Sequence, residues 1–282
     1  MIENVKAFVA DIDGTLAEKG EDLLPRTKAA LEKMHEEGIL VGIASGRPCD
    51  ARTLENAQRW GLSFDFDVVI GMNGGDLYMK GSPEFEHFHL LKKRAIKKAL
   101  DLLDGLYDNA IVYKKGYDHV LCTRMDWFME MSVERNHSLA EVVTPDKLAE
   151  EDTGKLEIHY DLKNHDKIME IIAASPDPDY TTCITFQGTV EFLDPHVDKG
   201  LGIRMFAERA GISPEEIIAF GDEQNDYGML RDAGWGVCLK NGCEQCKEVA
   251  DDITECSVTE DGVGRYLEKH LFKEPLLPEE DQ

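Results

Sequence analysis

The sequence has no apolar run approaching the ~20 residues that a membrane-spanning helix needs, and it is poor in positive charge, with 31 Lys and Arg against 56 Asp and Glu in 282 residues. The formal charge of −25 argues against polyanionic partners, both nucleic acid and anionic membrane. Any anionic substrate must be drawn in by a local positive site, because the overall field opposes its approach. Cysteine is sparse and odd in number, scattered as Cys49, Cys122, Cys183, Cys238, Cys243, Cys246 and Cys256, which excludes a simple disulfide framework. Cys243 and Cys246 form a C-x-x-C, but no second pair stands at zinc-finger spacing, so reduced thiols are expected. Repeats, low-complexity stretches and an apolar stripe suited to a protein partner are all missing. The opening Met1-Ile2-Glu3-Asn4 carries no basic region, and the expected location is cytoplasmic.

What is present begins at Val5–Ala10, a short apolar run that ends in Asp11-Ile12-Asp13-Gly14-Thr15. It reads as a buried strand stopping at a turn. Alternation along an extended backbone sends Asp11 and Asp13 off the same side. Paired carboxylates repel unless a cation or a shared proton lies between them. Gly14 allows a sharp turn that frees backbone N–H groups for an anion. These are the parts of a phosphate-handling site, although Asp-Gly is also a common turn dipeptide.

Strand and helix patterns then alternate. A helix is expected over Pro25–Glu37, a strand over Ile39–Ala44, a helix from Cys49 to Trp60 and a strand at Val68–Ile70. From Asp76 the texture shifts to strand-like runs with period-2 alternation and a few helices, which suggests a sheet with one solvated face. The first pattern resumes at Val190, continues into a helix from Lys199 to Ala210, and reaches the strand Ile217–Phe220 before Gly221-Asp222-Glu223-Gln224-Asn225-Asp226. The expected fold class is α/β, a doubly wound, Rossmann-like parallel-sheet core with an inserted α+β domain. Residues 1–75 and 190–272 form the core, 76–189 the insert, and 273–282 an acidic disordered tail. Ligands of such sheets sit beyond the carboxyl ends of the strands, where Asp11, Ser45 and Asn73 all fall.

Four features occupy strand ends or helix starts: Asp11-x-Asp13-Gly14-Thr15, Ser45-Gly46-Arg47, Lys199, and Gly221-Asp222-x-x-Asn225-Asp226. Alone, Ser45 reads as a helix cap and Lys199 as a solvated helix residue. Together, in this order and spacing, they resemble the motifs of the haloacid dehalogenase superfamily of phosphohydrolases. The long insert resembles the larger cap of its Cof-type, class IIB, sugar-phosphate phosphatases, and the resemblance runs from about Ile2 to Leu271.

The resemblance implies Mg2+-dependent hydrolysis of small phosphate monoesters through an aspartyl-phosphate. Asp11 would be the nucleophile and Asp13 the general acid–base. Asp11, the Asp13 carbonyl and Asp222 would hold Mg2+. Ser45, Gly46, Lys199 and Asn225 would bind phosphate, with Asp226 orienting Lys199 or a metal-bound water. Arg47 and Asn73 are candidate substrate contacts, and the implied partner is a small-molecule phosphate ester. Arg124, Lys114 and His119 are candidates in the insert by chemistry only, each more readily explained as solvated surface. A phosphosugar mutase on the same fold is the alternative function, followed by a non-catalytic phospho-ligand-binding or regulatory protein.

Overall fold

A computed structural model of the protein describes residues 4–116 and 118–278. In chain order its strands are β1 (Ala7–Ala10), β2 (Leu40–Ala44), β3 (Val68–Gly71), β4 (Asp76–Met79), β5 (Glu86–His87), β6 (Asn109–Lys115) and β7 (His119–Cys122). They continue as β8 (Leu139–Val142), β9 (Leu156–His159), β10 (Thr181–Phe186), β11 (Thr189–Leu193), β12 (Ile217–Gly221), β13 (Trp235–Cys238) and β14 (Asp252–Ile253). The chain divides into two units, one running to Glu86 and resuming at Asp198, the other spanning His87–Val197. Among the described residues no helix is long and apolar enough to cross a membrane.

The first unit is an α/β fold around an eight-stranded sheet in the order β14-β13-β12-β1-β2-β3-β4-β5. β1 lies at its centre, parallel to β12 and β2, with Ala10 opposite Phe220 and Ile43. Its four residues are fully buried, as expected of a parallel strand covered on both faces. Phe8 and Ala10 join the large apolar cluster that holds Leu31 and Met34 of the helix Pro25–Glu36 and Val263 and Leu267 of the helix Gly262–Leu267. The start of Pro25–Glu36 has no cap from its own N-cap residue, Leu24. Asp261 supplies one instead, accepting from the N–H groups of Arg26 (2.7 Å) and Thr27 (2.8 Å).

The second unit is built on a sheet ordered β10-β11-β9-β6-β7-β8. One face carries Ala110, Val112, Leu156, Ile158, Val190 and Phe192 into an apolar cluster with residues of the helices Lys93–Leu102 and His165–Ala174.

Four expectations are corrected. β4 was placed in the insert, yet it pairs antiparallel with β3 in the first unit. Positive φ at Met72, Asn73 and Gly74 folds the chain back there, a reversal that the Gly-Gly pair disguised as a boundary. β11 was placed in the core, but it pairs antiparallel with β10 and β9, because the turn at Gln187-Gly188 makes it a hairpin partner. The helix expected over Cys49–Trp60 is two short pieces, Ala51–Leu54 and Asn56–Arg59. The stretch 273–278, expected to be disordered, is held: Leu276 N–H donates to Glu268 Oε1 (2.8 Å), and Arg26 Nη2 donates to the Pro278 carbonyl (3.3 Å). Residues 279–282 of the expected tail lie outside the described residues.

Candidate active site

The central strands deliver their following residues to one end of the sheet. Asp11 comes directly after β1, and its N–H donates to the Phe220 carbonyl of β12 (3.0 Å). Asp222 follows β12, Ser45 follows β2, and Asn73 follows β3. The helix Lys199–Ala210 adds its first residue, capped by Asp198, whose side chain accepts from Leu201 N–H at 2.6 Å. Gly74 has φ +101°, and a Cβ there would run into the Asp198 carbonyl, so the Asn73 turn seats directly against this helix start.

Lys199 is the hub, with no exposed surface at all. Its ammonium donates to Asp11 Oδ1 (2.5 Å) and to Asp226 Oδ1. Asp226 is itself saturated, because its other oxygen accepts from the N–H groups of Asp222 (2.8 Å) and Glu223 (3.0 Å). A buried ammonium is tolerable only when paired. Burial pulls the Lys199 pKa down, but Asp11 and Asp226 outweigh it and hold the group above the ordinary lysine value.

Carboxylate oxygens of Asp11, Asp222 and Asp226 lie within 4.8 Å of one another. Burial pushes Asp11 up, further helped by Asp226 and Asp13 and opposed by Lys199. Asp222 is also raised, by burial first and then by the charges of Asp11 and Asp226. Three buried carboxylates thus face one ammonium, an excess of two negative charges when all three are ionised. With Asp226 fully engaged, Asp11 and Asp222 remain as hard oxygen donors, the chemistry that suits a divalent cation such as Mg2+. The donor set fits the metal.

The flanks are held by bonds as well. Thr15 Oγ1 donates to Asp222 Oδ1 (2.6 Å), and Asn241 Nδ2 donates to the Gly14 carbonyl (2.9 Å). Gly14 has φ +96°, and a Cβ there would collide with the Asp222 carboxylate. Asp13 is set apart from the carboxylate cluster: its side chain is 31% exposed and both its oxygens accept from Arg47 Nη2 (2.7 and 2.6 Å). Ser45 is buried, with its Oγ accepting from Arg47 N–H (3.2 Å). Gly46 passes close to Asn73, whose Oδ1 accepts from Asn225 Nδ2 (3.0 Å).

All the residues singled out in the first unit therefore converge. Arg47 and Asn73, expected as substrate contacts, are bonded to Asp13 and Asn225 in this structure. Thr15 and Asn241, which shape the Asp222 loop, were not anticipated. Thr15 was legible in the Asp-Gly-Thr triplet, whereas Asn241 stands far from any motif. In the second unit, Lys114 pairs with Glu151 (2.6 Å), His119 lies 3.6 Å from Glu141 and Arg124 is exposed. The sheet face expected to be solvated instead buries Lys155, which donates to Glu191 Oε1 (2.5 Å), beside Glu157, which accepts from the Tyr113 hydroxyl (3.2 Å).

A buried lysine–carboxylate hub thus stands beside paired acidic oxygen donors at the carboxyl ends of a parallel sheet. The chain belongs to the haloacid dehalogenase-like hydrolase family, whose model matches residues 8–267. Within it the chain is a Cof-type phosphatase, and members of this superfamily generally act with a divalent metal. It is 24% identical over 264 residues to a 5-amino-6-(5-phospho-D-ribitylamino)uracil phosphatase of Bacillus subtilis, covering 93% of this chain and 96% of that one. It is 25% identical over 250 residues to a phosphoglycolate phosphatase of Methanospirillum hungatei, covering 88% and 89% of the two chains. Its fold matches a haloacid dehalogenase-like hydrolase from Bacteroides thetaiotaomicron with TM-score 0.74 at 24% identity, over 94% and 99% of the chains. A sugar phosphatase of subclass IIB superposes with TM-score 0.77 at 22% identity, over 94% and 98% of the chains.

Proposed function

We propose that the protein hydrolyses small phosphate monoesters, sugar phosphates foremost, by way of a phosphoryl group carried on Asp11. The observation that carries this reading is the buried Asp11–Lys199–Asp226 hub with Asp222 beside it. Asp11, the Asp13 carbonyl and Asp222 would hold Mg2+, which when bound supplies positive charge between a carboxylate and a phosphate that otherwise repel.

Asp11 attacks phosphorus as the ester P–O bond breaks, and Lys199 keeps the attacking carboxylate ionised and aimed. Asp13 gives its proton to the departing alkoxide, then takes one from the water that cleaves the acyl phosphate. Arg47 holds Asp13 in the resting enzyme and parts from it when a phosphate dianion, an equally good partner for its guanidinium fork, arrives. Ser45 and the Gly46 amide receive phosphoryl oxygens, while the Asn73–Asn225 pair shapes the adjoining wall. The names of the Bacillus and Methanospirillum relatives support a small-molecule phosphate ester as substrate. The free state of all seven cysteines supports a reducing, cytoplasmic setting.

The test is phosphate release from a panel of sugar phosphates, other small phosphate esters and nucleotides, with Mg2+ or EDTA, for the wild type and Asp11→Asn. Metal-dependent release from sugar phosphates, lost in the variant, is expected. Release that persists in Asp11→Asn would overturn the assignment, and a requirement for a sugar bisphosphate activator would transfer the reading to a mutase.

A further inference from the structure

We infer that the second unit carries a separate metal site for a borderline transition ion of the Zn2+ type, formed by His89, Asp194 and His196. One ligand atom from each of the three lies within 4.8 Å of the others. The set combines two imidazoles with one carboxylate, a mixture that favours Zn2+, Ni2+ or Cu2+ and discriminates against Mg2+. The Asp11 cluster, all oxygen, has the opposite preference.

The local structure pre-forms the site. Asp194 Oδ1 lies 2.8 Å from His196 Nδ1 and accepts from the His196 backbone N–H at 3.0 Å. Its carbonyl accepts from Val197 N–H at 2.9 Å, and Pro195 fixes the backbone between the two side chains. With the neutral imidazole's proton on Nε2, the Nδ1 lone pair faces Asp194 Oδ1, so one ion bound between them takes both as ligands. The His89 ring stacks on that of His196, with centroids 5.0 Å apart and planes 25° apart. Two protonated imidazoles so placed repel each other, whereas two neutral ones can share a cation.

His89 adopts φ +49°, a left-handed conformation uncommon outside glycine. Both rings are exposed, so an ion reaches them without desolvating a core, and three protein ligands leave a position for water. The unit begins at His87 and ends at Val197. A bound ion would therefore tie together the stretches by which the chain enters and leaves it.

The test is titration of the full chain with Cu2+ in excess Mg2+, followed by electron paramagnetic resonance. Imidazole ligation gives nitrogen superhyperfine structure, which an all-carboxylate site cannot. The wild type should show it at the first equivalent and lose it to added Zn2+. The double variant His89→Ala/His196→Ala should lose it entirely, and Asp194→Asn should weaken binding about 10–100-fold. The double variant His89→Gln/His196→Gln, close to the native size, guards against a folding defect and should behave as the alanine pair does. Oxygen-only ligation in the wild type, or an unchanged nitrogen pattern in either double variant, would refute the site. Phosphate release, whose residues lie in the other unit, should be unaltered by these substitutions in Mg2+.

Discussion

Replacing Lys199 with Met should be among the most damaging single changes to the fold, and its magnitude follows from the surroundings. The side chains of Lys199 and Asp226 are both 0% exposed and that of Asp11 is 12% exposed. Methionine fills the volume of the lysine stem but leaves two buried carboxylates without their counter-charge. Removing one partner of a buried ion pair costs about 3–5 kcal/mol, which lowers the melting temperature by about 5–8 °C in a protein of this size. The loss should also have a pH signature. The Lys199 pKa is raised, so the lysine's own contribution is fully present below the ordinary lysine value and does not change across neutral pH. Lys199 is also what opposes the upward push on Asp11, so its removal raises that carboxylate further. A raised carboxylate destabilises above its unfolded value, and the deficit closes as protonation replaces the missing ammonium. Thermal melts in EDTA should therefore show the wild-type-to-variant gap narrowing from ~pH 8 to ~pH 5. Adding Asp226→Asn should restore part of the loss, a non-additivity of about 1–3 kcal/mol. A gap below about 1 kcal/mol, or one that is flat with pH and additive with Asp226→Asn, would refute the reasoning.

Four further outcomes are expected. Burial and mutual repulsion raise Asp11 to about 7 and Asp222 to about 8 in the metal-free protein. Their contribution to stability should therefore improve as pH falls from ~8 toward ~4 in EDTA, and Asp222→Asn should flatten that slope; parallel melting curves for the two proteins would contradict this. For the same reason divalent-metal binding should release protons, detectable as a buffer-dependent heat in calorimetry. Gly14→Ala, at φ +96° and facing the Asp222 carboxylate, should cost about 1–2 kcal/mol in backbone strain alone and weaken metal binding measured by titration. Arg26→Ala strands Glu268, whose oxygens now accept from Arg26 Nη1 at 2.8 and 2.7 Å, so it should cost about 3 kcal/mol and open the 273–278 stretch to limited proteolysis.

The site was legible because its chemistry is local. An Asp-x-Asp-Gly turn after an apolar run, or an Asp222-x-x-Asn225-Asp226 cluster after Ile217–Phe220, shows both the groups and the strand end that presents them. Strand direction is not local in that way. β4 and β11 have ordinary strand patterns, and nothing in four or five residues says whether the next strand runs parallel or doubles back. The unusual backbone at Met72 and Asn73, both non-glycine at positive φ, concealed the first reversal. Partnerships between distant segments were out of reach for the same reason. Asp261 caps a helix start at Arg26 and Thr27, and Asn241 bonds Gly14, across separations no window spans. The alternating polar residues of β9 and β11 looked solvated because alternation reports a face and not what covers it; Lys155, Glu157 and Glu191 are in fact buried.

The central claim, that Asp11 carries the phosphoryl group, is tested most directly by acid-quenching the Asp13→Ala variant with Mg2+ and p-nitrophenyl phosphate, whose leaving group departs without a proton from Asp13, and mapping the peptides by mass spectrometry. Loss of the Asp13 base slows the second step, so a hydroxylamine-sensitive phosphoryl group should accumulate on the peptide that contains Asp11. Release of p-nitrophenol with that peptide unmodified, or with the phosphoryl group on another residue, would contradict the account.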